Sequence, residues 1–243
     1  MNPKRQRRRR LLLVASFLAF PITLNYFSPY LMTKGTLEHV ATASLLVWGA
    51  VFASSLVLGR AFCGWICPFH GLQLLWEKAA DKPLRRIRYL RAVKYALWGV
   101  WVMAVLGLAV AFGGWRRVDL LYMTPIGVSV DSAASLITYY LLVGLTLAPA
   151  ALGRRAFCHY LCPFGVFGVV GTHIGRALHL PMLELKADEA ACTSCGRCTK
   201  DCPMSLPVSD MAALGDMRAT DCILCANCAD TCPREAVRMT FGR

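Results

Sequence analysis

Apolar residues are concentrated in the first 175 positions of this 243-residue chain. Four stretches there are each about 20 residues long and nearly free of charge, and a helix of that length spans a hydrocarbon layer of about 30 Å. They cover residues 11–32, 38–58, 93–112 and 133–152. The pattern predicts an all-α membrane domain over residues 1–175 with four transmembrane helices.

The rest of the chain is more polar. Its last 56 residues carry eight acidic and six basic side chains, and no apolar run in them is long enough to cross a bilayer. We therefore expect a second, small α+β domain over residues 176–243, and a chain of two domains.

The charge distribution predicts an orientation. The formal net charge is +13, with six basic residues in positions 4–10 and eight in positions 60–94, beside the predicted helices. Basic loops stay on the cytoplasmic side and are attracted to anionic lipid. We expect a multi-pass protein of the bacterial cytoplasmic (inner) membrane, with both termini and the C-terminal domain in the cytoplasm. The run 82–94 should be a lipid-facing loop and helix entry, and nucleic-acid binding is not indicated.

The membrane part contains an internal repeat. GRAFCGWICPF at residues 59–69 matches RRAFCHYLCPF at residues 154–164, an offset of 95, and YFSP at 26–29 resembles YMTP at 122–125, an offset of 96. Each repeat contains two predicted helices, so both copies have the same orientation. A duplicated two-helix unit related by a pseudo-twofold axis along the membrane normal is the natural arrangement.

Each copy carries a C-x3-C-P turn, at residues 63–68 and 158–163. The i to i+4 spacing places two thiols on one face of a helical turn, and two such turns offer four sulfur atoms. Four thiolates suit a third iron–sulfur cluster or a soft metal ion. A dithiol–disulfide relay and inert buried thiols are the alternatives. The residues are Cys63, Cys67, Cys158 and Cys162.

The most specific pattern is near the C-terminus: two copies of C-x2-C-x2-C-x3-C-P, starting at residues 192 and 222. In bacterial two-cluster ferredoxins, three cysteines of each run ligate one 4Fe-4S cluster and the fourth ligates the other. Zinc knuckles or disulfides are the alternative, but zinc sites usually have separated C-x2-C pairs. The predicted ligands are Cys192, Cys195, Cys198 and Cys232 for cluster 1, and Cys222, Cys225, Cys228 and Cys202 for cluster 2.

Two weaker patterns lie beside these motifs. His70 and His159 adjoin the C-x3-C-P turns and could tune a site there, or they are ordinary interfacial side chains. The Ser28-Pro29 and Thr124-Pro125 pairs predict helix ends or kinks. The sharper alternative is a quinone pocket lined by Tyr26, Tyr30, Tyr122 and Met123.

Four membrane helices, two C-x3-C-P turns and a C-terminal double 4Fe-4S run together resemble the ferredoxin-type quinol dehydrogenase membrane subunits of the NapH, NosR and MauN group. The resemblance covers residues 11–241. It implies that Cys63, Cys67, Cys158 and Cys162 match the family's membrane-edge motif, and that the cysteines from Cys192 to Cys232 match its cluster ligands. It also implies transfer of quinol electrons toward a periplasmic redox partner.

The leading hypothesis is therefore a membrane-bound iron–sulfur protein that passes electrons between the quinol pool and a membrane or periplasmic redox partner. No acid–base pair or phosphate loop is recognisable, so any chemistry is redox chemistry at cofactors. As an enzyme it would be at most the electron-transfer subunit of a quinol dehydrogenase. The alternatives are a metal (copper) reductase that uses the C-x3-C-P cysteines, and an assembly or redox-sensing factor for a periplasmic enzyme.

Overall fold

The computed structural model of the chain describes residues 3–77, 82–84, 87–124 and 127–242. Two 3-10 helices, Leu24–Phe27 and Ala148–Leu152, each directly follow an α-helix. The α-helices and β-strands are, in chain order, α1 (Pro3–Leu18), α2 (Phe20–Thr23), α3 (Pro29–Leu37), β1 (Val40–Thr42), α4 (Ala43–Leu58), α5 (Ala61–Trp65), α6 (Pro68–Leu75), α7 (Arg88–Ala111), β2 (Arg117–Asp119), α8 (Ala133–Leu147), α9 (Ala156–Tyr160), α10 (Pro163–Ala177), β3 (Met182–Ala187), α11 (Arg197–Lys200), α12 (Val208–Ala213), α13 (Asn227–Thr231) and β4 (Val237–Gly242).

Two of the four predicted membrane segments are continuous apolar helices. Arg88–Ala111 has 24 residues and Ala133–Leu152 has 20, and each is long and apolar enough to cross a bilayer. The second of them tightens to a 3-10 helix over its last turn, where Pro149 cannot donate a backbone hydrogen bond. Within the part of the chain that the structure describes, these are two candidate spans, or up to four if each of two bent helix pairs is one span.

The segment predicted as a membrane helix over residues 11–32 is broken twice, and the second break confirms the helix end predicted at Ser28-Pro29. The chain bends by 55° between Lys4–Leu18 and Phe20–Phe27, and Ser28 is extended, at φ −81° and ψ 117°. Pro21 and Pro29 explain both breaks, because proline has no N–H and disfavours a helical residue before it. The Ser28 hydroxyl then caps α3 by accepting from the Leu31 N–H at 3.4 Å.

The predicted helix 38–58 is also shorter than expected. Residues Val40 to Thr42 form β1, which pairs in parallel with β2, and the helix begins at Ala43 with the Thr42 hydroxyl as its cap. At the other end the chain turns by 102° from Ala43–Leu58 into Ala61–Leu75. Gly59 permits this turn, since its φ of 55° lies in the left-handed region.

Helices α4 and α10 pack closely because α10 presents glycines to α4. A Cβ added at Gly171 would overlap the Ser55 side chain, and one at Gly175 would overlap the Leu56 carbonyl oxygen. Small residues at such positions let two backbones approach. This close packing brings Phe164, at the start of α10, against the aromatic side chain of Trp48. Cys162, directly before α10, lies in the same core.

The C-terminal part is a two-stranded antiparallel sheet with three short helices. β3 pairs with β4 from Met182 opposite Gly242 to Ala187 opposite Val237. Buried apolar side chains between the sheet and the cysteine loops form its core, including Met204, Ile223 and Val237. A second core lies among the apolar helices; it contains Phe20, Trp48, Val105 and Phe164.

Candidate iron–sulfur site

The four cysteines predicted to ligate cluster 2 line one small cavity. Its other walls are mainly apolar side chains of the C-terminal part. All six pairs among the sulfur atoms of Cys202, Cys222, Cys225 and Cys228 lie close enough for their charges to interact. Four convergent thiols in an apolar cavity are the donor set and the surroundings that a 4Fe-4S cluster requires.

Both cysteine loops contain the same backbone turns. The residues before the second cysteine of each run, Ser194 and Leu224, have φ values of 49° and 51°. Gly196 and Ala226, which follow that cysteine, have φ values of 74° and 58°. A non-glycine residue in this left-handed region costs about 1–2 kcal/mol. The repetition of this strain at equivalent positions indicates that it turns each loop tightly enough to direct its thiols inward.

Burial keeps three of the thiols predicted for cluster 2 protonated. Desolvation raises the pKa of Cys202 to about 11 and the pKa of Cys222 to about 12. It also raises the pKa of Cys228. At neutral pH these side chains become thiolates only when a cation replaces the proton. A group of iron ions would supply that positive charge.

The cysteines predicted for cluster 1 lie nearer the surface. Cys195 is exposed, and Cys192, Cys198 and Cys232 are half-buried. The charge of Cys198 interacts with those of Cys195 and Cys232, although Cys232 belongs to the second sequence run. Conversely, Cys202 belongs to the first sequence run but lies beside the cysteines of the second run. This crossed grouping agrees with the predicted ligand sets, whose assignment remains a prediction.

Cys63, Cys67, Cys158 and Cys162, called the cysteine quartet from here on, come together between the two parts of the chain. α5 and α9 carry Cys63 and Cys158, while α6 and α10 begin directly after Cys67 and Cys162. All six pairs of quartet sulfur atoms lie close enough for their charges to interact. The structure therefore brings the two duplicated turns to one place.

The quartet connects the two hydrophobic cores. Cys63 packs in the core of the C-terminal part, together with Cys225 and Ile223. Cys67 and Cys162 pack in the core of the apolar helices. One side of the quartet is thus continuous with the predicted cluster 2 site, and the other reaches in among the aromatic side chains of the helices.

Two helix N-termini converge on the quartet. Pro68 and Pro163 occupy the first turns of α6 and α10, and Cys67 and Cys162 are the capping residues. The backbone N–H groups of His70 and Gly165 interact with the two sulfur atoms, although neither sulfur makes a complete capping hydrogen bond. A helix N-terminus carries about half a positive charge and favours an anionic group.

Buried basic side chains surround the quartet. Arg60, Lys94 and Arg155 are 3%, 2% and 5% exposed. The charges of Arg60 and Lys94 interact with Cys158 and Cys162, and that of Arg155 with Cys158. The prediction that the bases in positions 60–94 face lipid is therefore wrong for Arg60 and Lys94. Buried cations are costly unless anions offset them. Arg60 and Arg155 each pair with one carboxylate, that of Asp221 at 3.7 Å and that of Glu77 at 3.4 Å, and a cluster held by four thiolates would add a further anion.

Sequence reasoning missed these cations, although one signal was available. Arg60 and Arg155 occupy equivalent positions of the repeat, three residues before the first cysteine of each turn. They nevertheless have different partners. The Arg60 guanidinium donates to the Thr220 carbonyl at 3.0 Å, whereas that of Arg155 donates to the His70 carbonyl at 3.1 Å.

Both predicted histidines lie beside the quartet. His70 is 1% exposed and its Nδ1 lies 2.7 Å from the Cys63 carbonyl oxygen. His159 is 4% exposed, and its Nδ1 lies 3.7 Å from a carboxylate oxygen of Asp221. Both side chains are therefore buried within the described part of the chain. The structure does not test whether they tune a bound group.

The predicted quinone-lining residues lie on another part of the molecule. Tyr30 is 62% and Met123 49% exposed. Thr124 is buried, and its hydroxyl accepts from the Asn25 side chain at 2.9 Å, so this residue belongs to a loop and not to a kinked helix. Pro125 lies outside the described residues. A quinone pocket here remains a prediction.

Among residues 3–77, 82–84, 87–124 and 127–242, no three or more His, Cys, Asp or Glu side chains are arranged so that they could hold a metal ion directly. The observations that fit an iron–sulfur cluster are the cysteine-lined cavity, the repeated loop strain and the buried cations. Together with the apolar helices, they define a ferredoxin-type iron–sulfur protein of the membrane.

Comparisons with known proteins agree with this class. A sequence-family model described as a 4Fe-4S binding domain matches twice, at residues 40–89 and 136–181. Each match contains one C-x3-C-P turn. A second model, described as a 4Fe-4S dicluster domain, matches residues 191–237. No solved structure matches the chain significantly.

Several curated proteins are similar over most of the chain. YccM of Escherichia coli (strain K12) is 28% identical over 232 residues, which cover 88% of this chain and 59% of that protein. The ferredoxin-type protein NapH of Haemophilus influenzae is 27% identical, over 84% of this chain and 70% of NapH. The methylamine utilization ferredoxin-type protein MauN of Methylorubrum extorquens is 30% identical, over 72% of this chain and 59% of MauN.

The chain belongs to the ferredoxin-type group that includes NapH, NosR and MauN. NapH and MauN are described as ferredoxin-type proteins, and both family models that match this chain are 4Fe-4S domains. The chain spans less than two thirds of the length of YccM, so it corresponds to only part of that relative.

Proposed function

We propose that this protein is a membrane-bound iron–sulfur electron-transfer protein that exchanges electrons between the quinol pool and a redox partner. The observation that carries the proposal is the position of the cysteine quartet. It adjoins the predicted cluster 2 site on one side, where Cys63 and Cys225 share a core. On the other side, Cys67 and Cys162 lie among the apolar helices.

Three sets of four cysteines would each hold one cubane cluster. Cluster 1 takes Cys192, Cys195, Cys198 and Cys232; cluster 2 takes Cys202, Cys222, Cys225 and Cys228; the third takes the quartet. When bound, such clusters supply one-electron redox chemistry. The chain's own contribution is to fix the thiols by strained loops and helix N-termini and to offset the negative charge with buried cations. Its apolar walls exclude water.

The third cluster is favoured over a single copper ion by one specific finding. The family model that spans each C-x3-C-P turn is described as a 4Fe-4S binding domain, and it matches both halves of the repeat. The double match also supports the predicted two-helix duplication within residues 1–175. In this arrangement the two bent helix pairs each count as one membrane segment, which gives four.

The predicted orientation is supported by contacts of the N-terminal helix. Arg5 Nε lies 3.0 Å from a carboxylate oxygen of Asp230, and the Gln6 side chain donates to the Cys225 carbonyl at 3.0 Å. α1 therefore begins on the same side of the membrane as the C-terminal ferredoxin domain, residues 176–243. Because positions 4–10 are strongly basic, we place that side in the cytoplasm.

The cysteines of cluster 1 and of the quartet differ in exposure, and this difference indicates where each of the two electron-exchange partners binds. Cys195 of cluster 1 is exposed, so a soluble or peripheral redox partner can approach this cluster. Cys67 and Cys162 of the quartet are buried among the apolar helices, and quinol is the diffusible carrier in a bilayer. We therefore place the redox partner at cluster 1 and quinol on the membrane side. With the ferredoxin domain in the cytoplasm, this partner is a cytoplasmic or membrane protein and replaces the periplasmic partner that the resemblance implied.

Metal analysis of the purified protein tests the proposal. We expect about twelve irons and about twelve acid-labile sulfides per chain, since each cubane contains four of each. The double variant Cys67→Ser/Cys162→Ser should lose about four irons and keep the rest. The matched variant Cys225→Ser/Cys228→Ser should lose cluster 2 instead.

Four outcomes would contradict the proposal. About eight irons, unchanged in the Cys67→Ser/Cys162→Ser variant, would leave the quartet without a cluster, and copper at the quartet would favour a metal reductase. Failure of every quinol to bleach the visible cluster absorbance in membrane vesicles would remove the quinol pool from the function. If artificial electrons did not restore a partner enzyme in a strain lacking this protein, an assembly factor would be favoured.

A further inference from the structure

The two halves of the repeat differ at all three positions between the cysteines of each turn, and the difference in side-chain size is greatest at the first of them. Gly64 follows Cys63, whereas His159 follows Cys158 at the equivalent position. Both residues lie in short helices of five residues, α5 and α9. The difference is therefore in the space that the side chain occupies and not in the local backbone structure.

Gly64 contacts the backbone of the loop that carries the predicted cluster 2 ligands. A Cβ at this position would overlap the Ile223 carbonyl oxygen and would lie 3.3 Å from the Ile223 carbonyl carbon and 3.5 Å from the Cys225 nitrogen. Backbone atoms cannot move aside as the end of a flexible side chain can. Gly64 does not have a positive φ, so conformation does not require glycine here. The close approach of the loop does.

Hydrogen bonds on both sides of Gly64 hold this contact. The Trp65 indole N–H donates to the Leu224 carbonyl at 3.0 Å. The buried Arg9 guanidinium donates to the Gly64 carbonyl at 3.2 Å. Four residues before Gly64, the Arg60 guanidinium donates to the Thr220 carbonyl, in the segment just before Cys222. The first turn is thus attached to the loop of residues 220–225 along most of its length.

The second turn does not make the equivalent contacts. His159 stands where the first turn has Gly64, and its ring contacts the loop only through a side chain: its Nδ1 lies 3.7 Å from a carboxylate oxygen of Asp221. The Tyr160 hydroxyl, at the position of Trp65, accepts from the Ile87 N–H at 3.0 Å. Arg155, at the position of Arg60, donates to the His70 carbonyl within the apolar part. Only the first turn, among the described residues, receives the loop backbone in this way.

We propose that Gly64 is a positioning residue that brings the Cys222–Cys225 loop against the first C-x3-C-P turn, so that cluster 2, and not cluster 1, is the neighbour of the quartet. This inference rests on the proposed function, because it assumes a centre at the quartet. It assigns unequal roles to the two duplicated turns. The first receives the ferredoxin domain, and the second completes the ligand set.

The Gly64→Ala variant tests this assignment by electron paramagnetic resonance. In the fully reduced protein, unpaired spins on adjacent clusters broaden each other's signals, and the effect falls steeply with distance. We expect Gly64→Ala to lose most of the broadening between the quartet centre and cluster 2 while its iron content stays at the wild-type level. Helix propensity alone would favour alanine in α5, so the loss would report the displaced loop.

Gly99→Ala is the matched control, because a Cβ at Gly99 meets no atom within 4 Å. It should leave both iron content and broadening unchanged. Trp65→Phe is a second variant that removes the hydrogen bond to Leu224 without adding volume, and it should reduce the broadening several-fold less than Gly64→Ala does.

Full iron content with wild-type broadening in Gly64→Ala would overturn the inference. If Gly64→Ala loses iron, Trp65→Phe decides: unchanged broadening there, or the same loss of iron, would overturn the positioning role. An absence of broadening in the wild-type protein with about twelve irons would also overturn it. About eight irons in the wild-type protein would instead refute the proposed function, so the two failures are distinguishable.

Discussion

Lys94 provides the sharpest test of the charge balance at the quartet. Its side chain is 2% exposed, and its Nζ lies 3.5 Å from the Cys158 carbonyl oxygen. Reduction of a cluster at the quartet adds one negative charge, which a nearby cation stabilises. Lys94→Met keeps an unbranched side chain of similar length and removes its charge. It should therefore lower the reduction potential of that cluster.

The expected size follows from Coulomb's law. We take a separation on the order of 7 Å between the ammonium group and the cluster charge, consistent with the observed contact to the Cys158 backbone. With an effective dielectric constant of about 20, the interaction is about 2.4 kcal/mol. For a one-electron couple about 59 mV corresponds to a tenfold change in the equilibrium constant, so the potential should fall by about 100 mV. Entry of water into the space would reduce the shift to about half.

The assay is a redox titration of the quartet signal followed by electron paramagnetic resonance. Lys186→Met is the matched control, because Lys186 is 60% exposed and pairs with Glu184; solvent screening should leave the quartet potential nearly unchanged. An unchanged or raised potential in Lys94→Met, with full iron content, would refute the idea that Lys94 offsets the charge of a centre at the quartet.

Three further predictions concern packing, attachment and metal uptake. Gly175→Ala should destabilise the α4–α10 contact by about 1–3 kcal/mol and lower the thermal midpoint of unfolding, because its Cβ would overlap a backbone carbonyl. The control is Gly144→Ala, whose Cβ would meet no atom within 4 Å and which should leave the thermal midpoint unchanged. Asp230→Asn should cost about 1–3 kcal/mol, since it breaks a half-buried pair with Arg5, and should speed proteolytic release of the C-terminal part. Because the pKa of Cys222 is raised to about 12, its thiol is protonated before loading, so reconstitution should release protons and become more favourable as the pH rises; loading that is independent of pH would contradict this.

The local sequence pattern predicted the helices of the second half of the membrane part well. Residues 93–112 lie almost entirely within α7, and residues 133–152 correspond to α8 and its 3-10 extension. The first half was predicted less well, because apolar length alone does not reveal a bend. Prolines at 21 and 29 were visible in the sequence, yet a proline can kink a helix or end it, and only the surrounding packing decides which.

The surroundings of the quartet were the least predictable part of the site. Arg60 and Lys94 have the sequence context of juxtamembrane bases, which are usually hydrated or in contact with lipid. Their burial depends on contacts with segments far away in sequence: Arg60 reaches Thr220, 160 residues later, and Lys94 reaches Cys158, 64 residues later. No local pattern carries that information.

By itself, the sequence determined the type of chemistry of this protein and its general organisation. The features that did so are two runs of closely spaced cysteines, a duplicated C-x3-C-P turn and long apolar segments. Ligand type and spacing are local properties, so they can be read from adjacent residues. The duplicated turns also predicted one four-thiol site, and the structure brings the two turns together. The tertiary structure alone decided that basic side chains are buried around them, and that the backbone of the Cys222 loop packs on Gly64 while His159 faces only the Asp221 side chain of that loop. These features depend on which distant surfaces fit together, and one missing side chain at the contact is enough to decide between two nearly identical turns.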